Sequence, residues 1–108
     1  MLITEKRLEQ ALKYISQTDE EMGRLEGLCK GYKRQEKITF SQAYKDSQGG
    51  SVAEREANAR LTNLYIDFIS NYNDRELEKD IMKTKRDFEY TIVEVFRTES
   101  ANQRKGNV

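Results

Sequence analysis

Apolar residues recur every seven positions along the first half of the chain. Leu8, Ile15, Met22 and Cys29 hold one position of the repeat, continued by Glu36 and Ala43. Ala11, Thr18, Leu25 and Tyr32 hold a second position, three residues on. Two such positions per heptad define the seam of a helix packed on another helix. The pattern predicts a first helix over about 4–45, with the Thr4 side chain as its N-cap. Glu36 weakens the seam near its end.

Turn formers then gather in Asp46-Ser47-Gln48-Gly49-Gly50-Ser51, which predicts a loop over about 46–51. Ser51-Val52-Ala53-Glu54 reads as a capping box that opens a second helix. Along it, Ala57, Leu61, Leu64 (or Tyr65), Phe68 and Tyr72 form one stripe. Leu77, Ile81, Phe88, Ile92 and Val95 form another. The pattern predicts a second helix over about 52–98. The step from Tyr72 to Leu77 breaks the register, and Ser70-Asn71-Tyr72-Asn73-Asp74 is poor in helix formers. A break at 70–74 therefore stands as the alternative to a continuous helix. Residues 100–108 show no apolar period and are expected to form a flexible tail on a hairpin over 1–99.

Folding the helices together at Gly49-Gly50 sets Tyr32 against Tyr65, Cys29 against Phe68, Ile15 against Met82, and Leu8 against Phe88 or Glu89. The expected fold class is all-α, a long antiparallel helical hairpin resembling a coiled coil. Leu12, Leu28, Phe40, Tyr44 and Ile69 flank the seam, and a two-helix seam is too narrow to cover them. They are the candidate oligomer interface, in a dimer that forms a four-helix bundle. Ile92, Val93, Val95 and Phe96 are expected to project past Thr4. Gly23, Gly27 and Gly31 lie four apart on one helix face, which would let another helix approach closely or would form a soft spot.

Composition narrows the chemistry. The chain has 108 residues, with 19 Lys+Arg and 19 Asp+Glu, so its formal net charge is zero. It holds one Cys and no His, Pro or Trp. A lone Cys excludes an intramolecular disulfide framework and a multi-cysteine zinc site. The missing His removes the commonest metal ligand and general base. No proline forces a helix to break. Cys29 sits on the seam and reads as a small buried hydrophobe. The acidic pairs lack the Glu-x-x-His partners of di-metal bundles. No cofactor is implied, and the reading is of a non-enzymatic protein.

Two basic clusters, Lys30-Lys33-Arg34-Lys37 and Lys79-Lys83-Lys85-Arg86, are interleaved with acids and read as solvated faces. Arg97 with Arg104 and Lys105 is the better candidate for nucleic acid. Ile92, Phe96 and Arg97 are the candidate partner-binding residues. Six tyrosines supply rigid, amphipathic area suited to interfaces. No apolar run approaches the ~20 residues of a membrane span, so no membrane contact is expected. The chain also meets charge at Glu5-Lys6-Arg7, without a signal-peptide apolar region. The expected location is the cytoplasm.

The helix entry Gly49-Gly50-Ser51-Val52-Ala53-Glu54-Arg55-Glu56-Ala57, the strip Ile92-Val93-Glu94-Val95-Phe96-Arg97 and the ending Ala101-Asn102-Gln103-Arg104-Lys105-Gly106-Asn107 resemble small helical accessory proteins of tailed bacteriophages and prophages. The resemblance implies a phage accessory protein of the early or recombination-associated region, acting in the bacterial host's cytoplasm. It brings no catalytic or binding residues with it. The expected partners are a second copy and a host or phage protein, with nucleic acid as the alternative.

Overall fold

The computed structural model describes residues 1–106, and every described element is helical. Helix α1 spans Glu5–Asp46, α2 spans Val52–Arg60 and α3 spans Asn63–Gly106. Thr4 caps α1 as its sequence position predicts: Thr4 Oγ1 accepts from the Arg7 amide at 3.0 Å. Ser51 caps α2 by accepting from the Glu54 amide at 3.1 Å, and Glu54 reaches back to the Gly50 amide at 3.2 Å. These bonds satisfy amides that a helix start leaves without a partner.

The second half departs from the expected single helix over 52–98. The break falls at Leu61–Thr62, and the run 70–74 is helical throughout. Thr62 supplies the physical reason. Its hydroxyl donates to Ala59 O at 2.8 Å, where α2 ends, and accepts from the Tyr65 amide at 3.2 Å, where α3 begins. One side chain thus ends one helix and caps the next. The described part of the expected tail, residues 100–106, is also helical. Arg104 and Lys105 occupy that last turn, where cations suit the helix dipole. Residues 107–108 lie outside the described residues.

The chain divides into two units. Unit one comprises Met1–Gly23 with α3 from Asp80 onward, and unit two comprises Arg24–Lys79. In unit one, α1 and α3 run antiparallel. The Leu2 amide bonds Glu99, Arg7 bonds Glu89, and Thr18 bonds Arg86. The core of this unit holds Ile3, Ala11, Met22 and Val93, all at or below 7% exposure. Val93 does not project past the start of α1, because its flanking neighbours Glu89 and Glu99 pair with Arg7 and Leu2.

Unit two turns the chain through its loop. Arg55 holds the end of α1: Nε donates to Tyr44 O and Ser47 O at 3.1 and 3.0 Å, and Nη2 to Lys45 O at 3.2 Å. Its guanidinium also lies 4.5 Å from the Tyr44 ring centroid. Carbonyls left open at a helix C-terminus are satisfied here by one cation. Asn58 Nδ2 donates to Gln48 O at 2.6 Å. Gly49 is required by close approach, since a Cβ there would sit 2.9 Å from Arg55 N. Leu25, Cys29, Ala43 and Ala59 form the core of this unit. The expected Tyr32–Tyr65 pairing is replaced. Tyr32 packs on Phe68 and Tyr72, at 5.6 and 5.7 Å between centroids, and Tyr65 packs edge-on against Phe40 at 5.7 Å.

Candidate interaction surfaces

The first-helix seam is where the heptad pattern puts it. Ala11, Met22, Leu25, Cys29 and Ala43 are buried, while Glu36 is exposed. Helix α3 behaves differently within unit one. Its inward positions are Met82, Arg86, Glu89, Val93 and Phe96, each buried or half-buried. Two of these five are charged. Arg86 is 7% exposed and donates through Nη1 to Ile15 O at 2.8 Å and Thr18 Oγ1 at 2.7 Å, and through Nη2 to Asp19 Oδ1 at 3.0 Å. Glu89 accepts both bonds from Arg7 Nη2, at 2.9 and 2.7 Å.

Two large apolar residues of that stretch face outward instead. Ile81 and Phe88, read from the sequence as seam, are 48% and 59% exposed. Leu77, in unit two, is exposed as well. Periodicity alone located the stripe but not the side of the helix it faces. The signal that could have found the inward face is Arg86 with Glu89. Arg86 continues the seven-residue repeat of Val93 and Glu89 that of Met82 and Phe96, and polar partners for both stand on α1.

Among the partner-binding candidates, Ile92 and Phe96 are half-buried, and Arg97 is exposed with Nη1 3.0 Å from Glu94 Oε1. Arg97 and Arg104 stand seven residues apart on one helix, so α3 brings them to one face. Lys105 falls about a quarter-turn away. Arg86, assigned to a solvated basic cluster, is instead spent inside unit one.

The interface candidates divide into two groups. Leu12 and Leu28 are exposed, at 49% and 37%. Ile69 is half-buried. Phe40 and Tyr44 are occupied within unit two, Phe40 by Tyr65 and by the Arg60 guanidinium 5.2 Å from its ring, Tyr44 by Arg55. Beside Phe40, a shallow groove of about 440 Å³ is lined by Glu36, Lys37, Ser41, Arg60 and Tyr65. In unit one a groove of about 370 Å³ runs along Tyr90, Thr91, Glu94, Val95, Thr98 and Glu99.

The glycines of α1 hold no helix close. A Cβ at Gly23, Gly27 or Gly31 would meet nothing within 4 Å. Cys29 is buried. Among the described residues no group of His, Cys, Asp or Glu is arranged to hold a metal ion, and no helix is long and apolar enough to cross a membrane. Burial and the nearby carboxylate of Glu76 raise the Tyr72 phenol above its ordinary pKa.

No family model matches the chain, and no curated protein or solved structure matches it.

Proposed function

We propose that this chain is a non-enzymatic helical-hairpin protein that self-associates into a four-helix assembly and binds a macromolecular partner. The observation that supports this most is the inverted stretch of α3, with charge on its inner face and Ile81 and Phe88 on its outer face. Covering one large apolar side chain is worth roughly 1.5–3 kcal/mol. A second copy recovers that free energy without any change of fold. The proposed setting is that of a phage accessory factor in the bacterial cytoplasm, assisting recombination or replication or occupying a host protein. Of the partner-binding candidates, Arg97 is exposed and is the residue offered to that partner, while Ile92 and Phe96 are half-buried.

Molar mass by light scattering, across a hundredfold range of protein concentration, tests the self-association. A species of two chains supports the reading, and a single chain of 12.7 kDa at every concentration removes it.

A second reading, direct nucleic-acid binding, is favoured by Arg97 and Arg104 sharing one face of α3. It requires affinity for DNA that falls steeply with salt. It also requires that affinity to be lost in the triple variant Arg97→Ala, Arg104→Ala, Lys105→Ala. No binding at low salt excludes it.

A further inference from the structure

We propose that two copies of the chain join through the outer face of α3 in unit one, with the two α3 helices parallel and in register. The inference rests on the self-association reading above and adds the surface and the orientation. Three observations support it.

Ile81, Phe88 and Val95 recur at intervals of seven, with Thr84 and Thr91 at the intermediate position of the same repeat. They lie on the side of α3 opposite Arg86 and Val93. This is a second heptad seam on a helix whose first seam is already filled. It fits another helix bearing the same repeat, and the second copy supplies one.

The polar members of this seam are already satisfied. Thr84 Oγ1 donates to Asp80 O at 2.9 Å, and Thr91 Oγ1 donates to Asp87 O at 3.0 Å. A partner helix can cover both threonines without stranding a hydroxyl, which would otherwise oppose burial.

The flanking charges favour the parallel orientation. One flank carries Asp80, Asp87 and Glu94, all acidic, and the other carries Lys85, Ile92 and Glu99. An antiparallel pair sets like flanks together, so all three carboxylates of the first flank face carboxylates, while Lys85 faces the partner's Glu99. A parallel pair in register sets each flank against the opposite one. Asp80 then faces the partner's Lys85, Asp87 faces the partner's Ile92, and Glu94 faces the partner's Glu99, two carboxylates that each already have a donor of their own chain, Arg97 and the Leu2 amide. Asp80 and Lys85 are both exposed and available for this. Asp87 and Glu94 keep their own cations, Lys83 at 2.8 Å and Arg97 at 3.0 Å.

Cysteine cross-linking tests both surface and orientation. Ile81→Cys, Phe88→Cys and Val95→Cys are made singly. Each is weighed by light scattering when reduced, checked for helix content, then oxidised mildly and run on a non-reducing gel. The wild type, whose only thiol is the buried Cys29, is the blank. A cysteine at the exposed Gln17 of α1 controls for random collision. In a parallel pair every residue of the seam meets its own copy, so all three variants cross-link to themselves and Gln17→Cys does not. Self-cross-linking at only one or two of the three positions contradicts a parallel pair in register and overturns the proposed orientation. No cross-link in proteins that weigh two chains overturns this surface and leaves self-association standing. A mass of one chain for the wild type removes both.

Discussion

Arg86 Nη1 lies 2.7 Å from Thr18 Oγ1, joining the two helices of unit one through a buried charge. Thr18 is a seam position of the first-helix heptad, and its hydroxyl already donates to Tyr14 O at 2.7 Å. That leaves its oxygen free to accept from Arg86. The polar layer is therefore built on a heptad position that a hydrophobic residue would ordinarily fill. Sliding either helix would strand the guanidinium, so the layer favours this register over its neighbours.

Replacing Arg86 separates these contributions. Arg86→Ala loses three charge-assisted bonds and side-chain packing, and destabilises by about 2–3 kcal/mol. Arg86→Met keeps the volume. It strands little, because Asp19 is mostly exposed and rehydrates, so it costs about 1 kcal/mol or less. Urea denaturation with an unchanged m-value measures both. Equal losses for the two variants would mean that packing plays no part.

The loop gives a sharper pair. A methyl at Gly49 meets Arg55 N at 2.9 Å and Arg55 Cα at 3.2 Å, both backbone atoms that do not swing aside. Gly49→Ala therefore costs about 1–3 kcal/mol. At Gly50 the nearest atom is the flexible Glu54 carboxylate at 3.6 Å, and Gly50→Ala stays within about 0.5 kcal/mol of wild type. Thermal midpoints of the two variants check the contrast.

Gly23, Gly27 and Gly31 sit inside α1 with open space where a methyl would go. Each change to Ala stabilises by about 0.5–1 kcal/mol through helix propensity alone. Raised thermal midpoints are expected for all three. A fall at any of them would show that a partner helix covers this face, contrary to an interface on α3.

Tyr72 carries the one pH prediction. Burial first, then the charge and hydrogen bond of Glu76, raise its folded pKa above the ordinary 10.0. The folded state then holds the phenolic proton more tightly than the unfolded chain does. The stability from this difference is present below pH 10 and is lost as pH rises above it. Stability against urea, followed upward from pH 9, should fall less steeply in Tyr72→Phe than in wild type. Parallel slopes would contradict the assignment.

Much of this fold could be read in the residues. The heptad of Leu8 through Ala43, the Thr4 and Ser51 caps and the glycine loop all have local causes, and each appears where its pattern places it. The break at Leu61–Thr62 was obscured because the apolar stripe through Leu61 and Leu64 suggested continuity, while the signal was one hydroxyl acting at two helix ends. The weak helix formers at 70–74 were outweighed by packing, with Tyr72 stacked on Tyr32. The outward stripe was hidden for a different reason. Periodicity is blind to which of two opposed faces turns inward, and that choice depended on Arg86 and Glu89 finding partners on α1.

Phe88 stands at the centre of the proposed interface between copies on the outer face of α3. The direct measurement is the molar mass in solution of Phe88→Glu beside wild type, with helix content followed by circular dichroism. Phe88 is 59% exposed, so the charge enters without disturbing the core. The expected result is two chains for the wild type, and a helical single chain of about 12.7 kDa for the variant. A wild type of one chain, or a variant that keeps the wild-type mass, would contradict it.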